Sequence, residues 1–377
     1  MVGGGRGAFI GAVHRMAARL DDRYELVAGA LSSDAQRARD SGADLLLAPD
    51  RCYTSVAQMV AAERARPDPI DVVAIVTPNH LHYEPAKRFL EAGFHVICDK
   101  PLTTTVADAD DLLATTERMR RVFAVTYNYS GYPLVRHARE LAASGALGPL
   151  RVVQVEYAQD WLAEPLEAES QKQAAWRTDP ARSGVAGAVG DIGTHAFHLA
   201  EFVTGARITH LAADLTAQVA GRRLDDNAHM LLKLANGARG ALWASQVAVG
   251  NENGLRLRVY GEKAGIEWSQ EAPNCLRFTR FGAPPERITR GGAGAGAAAT
   301  AATRIPAGHP EGYIEAFAQL YRDVADLIAA VDAGAAPTAN APLVPTVRDG
   351  ARGVRFIHAA VESSRRGAAW VEIEREA

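Results

Sequence analysis

The chain has 377 residues, 48% of them apolar and 23% charged, with a formal net charge of −3. That length suits two domains rather than one small core, and the near-neutral charge leaves no electrostatic footprint for nucleic acid or an anionic membrane surface. No apolar run reaches the ~20 residues that span a bilayer, the N-terminus lacks a secretory pattern, and Cys52, Cys98 and Cys275 are too scattered for a disulfide framework or a zinc motif, so a reducing cytoplasm is expected.

The sequence opens MVGGGRGAFIGAVH. Gly3 and Gly5 permit a tight turn and close approach of the backbone to a pyrophosphate. Gly7, Ala8, Phe9 and Ile10 then lead into a helix whose N-terminus supplies N–H groups and positive dipole. If Gly11 is the third motif glycine, three residues are inserted relative to G-x-G-x-x-G. If Ala8 takes that role, the spacing is standard and Gly11 lies inside the helix. A first Rossmann strand needs about five residues, and Met1-Val2 supplies two of them. Either the natural start lies upstream or this central strand is short. Residues 24–31 (YELVAGAL) predict the next strand. Its end offers Ser32, Ser33 and Asp34 where a carboxylate normally meets a ribose 2′-hydroxyl. Serines suit a 2′-hydroxyl or a 2′-phosphate, so NAD and NADP both stay open. No basic cluster follows Ser32-Ser33, and Arg37 is the only nearby candidate for a phosphate, which tilts the balance slightly to NAD.

Residues 71–76 (DVVAIV), 94–98 (FHVIC) and 122–126 (VFAVT) predict further strands. Helical spacing fills 84–91 and 106–118. Apolar strands alternating with helices argue for a doubly wound parallel sheet. After Asn128 the texture changes. A helix over 133–144 leads into the alternating strand 150–158 (LRVVQVEYA). More strands follow at 208–217, 229–234, 238–246, 255–260 and 265–268, separated by turn signals such as Ala235-Asn236-Gly237. Strands in succession imply a mostly antiparallel sheet. The expected fold is α/β: an N-terminal Rossmann domain over 1–128 and a C-terminal α+β domain over 129–377 with a large, mostly antiparallel open sheet. The low-complexity stretch 291–303 predicts a flexible loop. Helical patterns over 313–331 and 347–364 complete the chain, the last expected to pack back on the first domain.

Three motifs carry a resemblance. Thr77-Pro78-Asn79-His80-Leu81-His82 follows the strand at 71–76. Cys98-Asp99-Lys100-Pro101-Leu102 follows the strand at 94–98. Gly190-Asp191-Ile192-Gly193-Thr194-His195 opens a helix in the second domain. In this order they resemble the glucose–fructose oxidoreductase/inositol dehydrogenase family, Gfo/Idh/MocA, over nearly the whole chain. Asp99-Lys100-Pro101 stands where that family usually has Glu-Lys-Pro. Asn128-Tyr129, Gln159-Asp160-Trp161 and Trp176-Arg177 are similar to the levoglucosan- and inositol-oxidising branches.

Oxidising a secondary alcohol means removing a proton from oxygen while hydride leaves carbon, and histidine suits the base. Asp191 and His195 are spaced i, i+4, on one face of a helix. His195 is the candidate base, and Asp191 holds the neighbouring hydroxyl. Lys100, at the C-terminal end of a strand, carries charge to stabilise an alkoxide. The resemblance implies that these three share one site. It also implies that Thr77, Pro78, Asn79, His82, Asp99, Lys100 and Asn128 face the cofactor. Tyr129, Trp161, Arg177 and His309 are candidate sugar contacts, since aromatic faces pack on C–H surfaces and Arg donates to hydroxyls. Trp161 and Trp176 fit a core position equally well. His309 and Tyr313 precede a helix and are placed to close the pocket. Asp191, His195 and His198 share a helix, but a core-facing His198 fits better than a metal site, and no metal is expected. Arg136 and Arg139 read as a solvated helix face.

The expected activity is NAD(P)-dependent hydride transfer to or from a sugar, anhydrosugar or cyclitol. Two other classes stay open: an enzyme that recycles tightly held NAD, as a sugar–sugar oxidoreductase or a hydride-shuttling glycosidase, and a non-catalytic NAD(P)-binding sensor. An open sheet face needs cover, and the resemblance implies that subunits supply it, in a homodimer or homotetramer.

Overall fold

A computed structural model describes residues 1–169 and 171–373. The chain forms two compact units. One contains Met1–Tyr127 and Phe317–Ala351, the other Asn128–Ala316 and the chain from Arg352 on.

The first unit contains β1 (Val2–Gly3), α1 (Phe9–Leu20), α2 (Ala35–Asp44), α3 (Val56–Ala65), β2 (Val72–Val76), α4 (Tyr83–Glu91), β3 (His95–Cys98), α5 (Val106–Met119) and β4 (Phe123–Val125). The strands pair in parallel in the order β1-β2-β3-β4. Val73, Ile75, Val96 and Cys98 are completely buried, as a parallel sheet under helices requires. Asp34, Ser55 and Thr105 cap α2, α3 and α5 by accepting the N–H groups of Arg37, Gln58 and Asp108.

Two expectations are corrected here. Residues 24–31 do not form a strand. Gly29 and Ala30 alone make isolated bridges, to Cys52 and Val2. The neighbouring β1 is two residues long, so a longer strand beside it would find few backbone partners. Residues 317–351, expected in the second domain, cluster with the first. Thr346 bridges Ala124, and the Val125 N–H donates to the Pro345 carbonyl at 2.9 Å, so the returning chain covers the edge of β4.

The second unit holds α6 (Pro133–Ala143), β5 (Leu150–Ala158), α7 (Lys172–Arg177), α8 (Pro180–Ser183), α9 (Thr194–Thr204), β6 (Ile208–Thr216), β7 (Asn227–Leu234), β8 (Arg239–Ser245), β9 (Gly254–Gly261), β10 (Ala264–Ser269), β11 (Cys275–Arg280), β12 (Glu286–Thr289) and α10 (Ala297–Ala302). After α11 (Tyr313–Asp332) come α12 (Val347–Arg365) and β13 (Val371–Glu372). The sheet runs β12-β11-β10-β9-β5-β8-β7-β6-β13; among the described residues β5 and β8 pair in parallel and the other neighbours antiparallel. One face is core: Val153, Val155, Leu232, Leu242, Leu257 and Val259 are buried, with α9 packed on β5 and β9. The opposite face leaves Val152 and Leu231 exposed, the alternation of a sheet with one covered side.

Two more expectations fail. Arg136 is buried, and its Nε donates to the Ser130 carbonyl at 3.2 Å. The Arg139 guanidinium lies 4.8 Å from the Phe202 ring. Their helix, α6, packs against both α9 and α10, so these side chains end on protein groups. Residues 291–303 are not all loop, because Ala297–Ala302 is helical. Alanine is the best helix former, and Ala299 and Ala302 are fully buried.

Candidate active site

β1 ends in a turn that needs glycine. Gly3, Gly4 and Gly7 have φ of +77°, +74° and +75°, a region costly for other residues. A Cβ on Gly5 would lie 2.6 Å from the Leu31 carbonyl oxygen, and one on Gly11 would lie 2.4 Å from the Cα of Gly4. Ala8 is the N-cap of α1, and Gly11 sits in its first turn. Gly11 therefore makes the close helix–strand contact of a third motif glycine, which decides between the two readings of the spacing. Phe9 is exposed and Ile10 half-buried. This cradle and the start of α1 fit a dinucleotide pyrophosphate.

Beside the loop, Arg6 ion-pairs with Asp40 and Asp44, and its N–H donates to Ser41 Oγ at 3.0 Å, tying the turn to α2. Ser32 Oγ accepts the Asp34 N–H at 3.1 Å, and Asp34 is occupied as the α2 cap. Ser33 and Arg37 are exposed.

The motif after β2 runs through Thr77 and Pro78 into a short 3₁₀ turn over Asn79–Leu81. Asn79 is buried and His80 exposed. His82, expected to face the cofactor, is completely buried. Its Nδ1 lies 2.9 Å from the Pro101 carbonyl oxygen and its Nε2 2.8 Å from that of Thr77. Burial pushes this imidazole below its usual range, and nearby Asp99 offsets part of the effect. His82 is therefore enclosed between the two loops, and in the neutral form its single N–H bonds one of the two carbonyls.

Asp99 and Lys100 follow β3, where ligands bind in open α/β sheets. Asp99 Oδ1 accepts from Thr126 Oγ1 at 2.6 Å and lies 3.0 Å from His14 Nε2. Burial pushes the carboxyl up, but the bonds to His14 and Thr126 outweigh it and hold the group below its usual range. Sequence reasoning missed His14 and Thr126. The available signal was a lone histidine three residues after Gly11, on the buried face of α1.

In the second unit Asp191 lies in a widened π turn over Val189–Gly193, not in a regular helix, and His195 follows in the first turn of α9. Such turns recur at functional sites. The cause is local. The Asp225 carboxylate accepts the N–H groups of Gly187 and Val189 at 2.7 and 2.9 Å, and a Cβ on Gly187 would lie 2.1 Å from the Asp225 carbonyl oxygen. Burial pushes the Asp225 carboxyl above its ordinary value despite those bonds. Asp225→Ala strands two buried N–H groups. We expect a stability loss of about 2 kcal/mol, read as a lower Tm, and about tenfold lower kcat/KM through displacement of Asp191.

Asp191 Oδ2 accepts from Arg177 Nε at 3.1 Å and from Gln246 Nε2 at 2.8 Å. The Arg177 guanidinium lies 4.2 Å from the Trp176 ring and 5.8 Å from the Trp161 ring. Trp161 Nε1 donates to Gln159 Oε1 at 3.1 Å. The expected Asp191, Trp161, Trp176 and Arg177 thus come together, and Gln246 joins them without a sequence signal.

The buried ring of His195 meets Tyr129 edge-on, 4.8 Å between centroids. The Tyr129 and Tyr157 hydroxyls bond to each other. Tyr157 donates to Asn253 Oδ1 at 2.7 Å, and Gln159 Nε2 donates to the same oxygen at 2.8 Å. Burial pushes the Tyr129 phenol up to about 12 and Tyr157 well above its usual value, so both stay neutral near pH 7. Asn128 is buried, and its Nδ2 has no hydrogen-bond partner among the described residues, a donor that a ligand acceptor would satisfy. Tyr313 lies 6.3 Å from Tyr129. His309 is exposed, and its carbonyl accepts from Arg290. His198 is buried against Phe202, with ring centroids 5.8 Å apart. Among the described residues, no three His, Cys, Asp or Glu side chains gather to hold a metal.

Comparison with known proteins agrees with this geometry. Residues 1–127 match the model of the oxidoreductase family with an NAD-binding Rossmann fold, and residues 135–267 match a GFO/IDH/MocA C-terminal domain. An oxidoreductase structure from Sinorhizobium meliloti is 50% identical, with TM-score 0.88 and 98% of each chain covered. An inositol dehydrogenase homologue from Azotobacter vinelandii, solved with NAD+, is 38% identical, with TM-score 0.94, covering 99% of this chain and 96% of that one. Levoglucosan dehydrogenase of Pseudarthrobacter phenanthrenivorans is 30% identical over 54% of this chain and 56% of its own length. By its glycine cradle, its Asp99-Lys100-Pro101 and Asp191/His195 motifs and both matched domains, the chain belongs to the Gfo/Idh/MocA family of oxidoreductases.

Proposed function

We propose that the protein oxidises a secondary alcohol of a sugar, anhydrosugar or cyclitol, with NAD as the first choice of cofactor. The observation that carries this reading is Asp191, held by Arg177 and Gln246 a few residues before His195, with the Arg177 guanidinium itself set against the rings of Trp176 and Trp161. His195 takes the hydroxyl proton on an imidazole nitrogen. Asp191 accepts a hydrogen bond from the neighbouring hydroxyl. The charge of Lys100 stabilises the developing alkoxide. Trp161 and Trp176 offer apolar faces to ring C–H groups, and Arg177 donates to hydroxyls. A bound nicotinamide supplies the two-electron acceptor. The inositol and levoglucosan dehydrogenases among the relatives point to the same substrate class.

The test is an absorbance screen at the reduced-nicotinamide band. It pairs NAD+ and NADP+ separately with inositols, pyranoses and anhydrosugars. A substrate-dependent rise with one cofactor supports the reading and settles the cofactor. No rise, with cofactor released only on denaturation, replaces it with a recycling enzyme.

The open sheet face supports a homodimer or homotetramer. Leu231 is 58% exposed and Trp370 40% exposed on a concavity of about 520 Å³ that His229 and Trp243 also line. Exposed large apolar side chains on an uncovered sheet face, rimmed by polar residues such as Glu156, Asp214 and Arg258, suit a protein contact. Leu231→Glu places charge there and is expected to yield a monomer mass by light scattering at micromolar concentration. An unchanged mass would assign the contact elsewhere. The three cysteines are unpaired, which supports a cytoplasmic location, and no helix among the described residues is long and apolar enough to cross a membrane.

A further inference from the structure

We propose that Tyr321, His14 and Thr126 form a buried positioning relay that fixes Asp99 by one carboxylate oxygen and leaves the other to accept an N–H or O–H donor of a bound ligand. The inference rests on the dehydrogenase reading and adds residues that the reaction described above does not use.

The chain of contacts lies within the first unit. His14 is 0% exposed on the inner face of α1. Its Nδ1 lies 2.7 Å from the Tyr321 hydroxyl and its Nε2 3.0 Å from Asp99 Oδ1. A neutral imidazole has one N–H and one acceptor nitrogen. An acceptor nitrogen facing a carboxylate would repel it, so the hydrogen-bond pattern assigns the proton to Nε2. In the tautomer with that single proton, Nδ1 is the acceptor for the Tyr321 O–H. Burial keeps that phenol protonated, which agrees with this direction.

Each member is held in turn. The Tyr321 carbonyl accepts from the Tyr24 hydroxyl at 2.8 Å, and the two rings meet edge-on at 5.1 Å. The His14 ring packs 4.9 Å from that of Phe317. Thr126 Oγ1 adds a second donor to Asp99 Oδ1 at 2.6 Å.

Both donors fall on the same oxygen. Asp99 Oδ2 has no hydrogen-bond partner among the described residues, and the Asp99 side chain keeps 14% of its surface exposed. Buried polar groups are costly unless paired, and an apolar trio would pack this space as well. A directional polar chain ending on its one partly exposed member, beside Lys100 at the end of a strand, is how a ligand-facing group is locked by a supporting shell. The ligand donor is an amide N–H of the coenzyme or a hydroxyl of the alcohol.

The test compares His14→Ala, His14→Gln and Tyr321→Phe with wild type. It measures NAD+ Kd by calorimetry, kcat and KM for the alcohol, and Tm. The glutamine amide nitrogen reaches the place of Nε2 and keeps the bond to Asp99. Losing a bond to a charged group corresponds to about 10- to 100-fold in a binding or rate constant. We expect a loss of that size in His14→Ala, recovery to within about threefold in His14→Gln, and an intermediate value in Tyr321→Phe. If the donor belongs to the coenzyme, NAD+ Kd rises. If it belongs to the alcohol, NAD+ Kd holds and the alcohol KM rises.

Wild-type constants in His14→Ala, or equal impairment of His14→Gln and His14→Ala at wild-type Tm, would overturn the relay. Should His14→Ala fail to fold, Thr126→Val removes the other donor to Oδ1, and unchanged constants there overturn it equally. A wild-type protein that binds no NAD+ overturns the dehydrogenase reading and the relay with it. A wild type that binds and turns over, with unaffected variants, overturns the relay alone.

Discussion

Lys100→Ala and His195→Ala each lower kcat by about 10²-fold or more while NAD+ affinity stays nearly unchanged. The expectation follows from what each group does. In the proposed mechanism His195 takes a proton that leaves only as the alcohol reacts, and Lys100 stabilises charge that exists only on the developing alkoxide. Neither interaction is made fully with the resting coenzyme, so removing either one lowers kcat more than it weakens binding. Truncating His195 also removes the edge-on contact with Tyr129. His195→Asn, which keeps part of that volume, separates lost packing from lost chemistry. If both variants with Ala turn over like wild type, the assigned mechanism is wrong. If they lose NAD+ binding in parallel with kcat, these residues hold the coenzyme instead. The measurements are steady-state rates with the substrate found in the screen and calorimetric titration with NAD+.

Gly11→Val abolishes measurable NAD+ binding and lowers Tm. Even the Cβ of alanine would lie 2.4 Å from Gly4 Cα and 2.7 Å from the Gly4 carbonyl oxygen. Both are backbone atoms, so no side chain can turn aside to relieve the clash. The start of α1 must move away from the glycine turn, and the phosphate cradle opens with it. Overpacking of this kind costs about 1–3 kcal/mol where side chains can yield, and valine against backbone falls at the upper end. Gly11→Ala is expected to be milder in Tm and still impaired in NAD+ binding. Normal binding by Gly11→Val would show that the coenzyme phosphates do not rest on this turn.

What could be read from the chain differed from element to element. The strand 150–158 and the helix from 347 matched their periodicity closely, since each has a steady apolar face over many residues. The run 24–31 carries strand-forming residues, but a strand exists only when a neighbour offers backbone to pair with, and β1 is two residues long. The alanine-rich stretch near 300 looked structureless because composition hides the small size that lets α10 pack on α6. His82 was expected to face the cofactor and Arg136 to face solvent, yet both are buried with polar atoms against carbonyl oxygens.

The site divides the same way. Lys100, Asp191 and His195 were legible because short motifs carry them and their chemistry follows from residue type. Gln246, Asp225, Asn253, His14 and Tyr321 were not. They lie tens to hundreds of residues from the groups they hold, and they have no local pattern of their own. By itself the sequence determined the class of the molecule: a glycine-rich turn opening a Rossmann domain, a parallel sheet followed by an antiparallel one, and the candidate acid–base residues. The tertiary structure alone decided which acceptor each polar group meets, that residues 317–351 return to the first unit, and that Gly11 touches Gly4. The reason is physical. Periodicity and turn chemistry act over a few residues, whereas burial and hydrogen-bond satisfaction are settled between segments that only folding brings together.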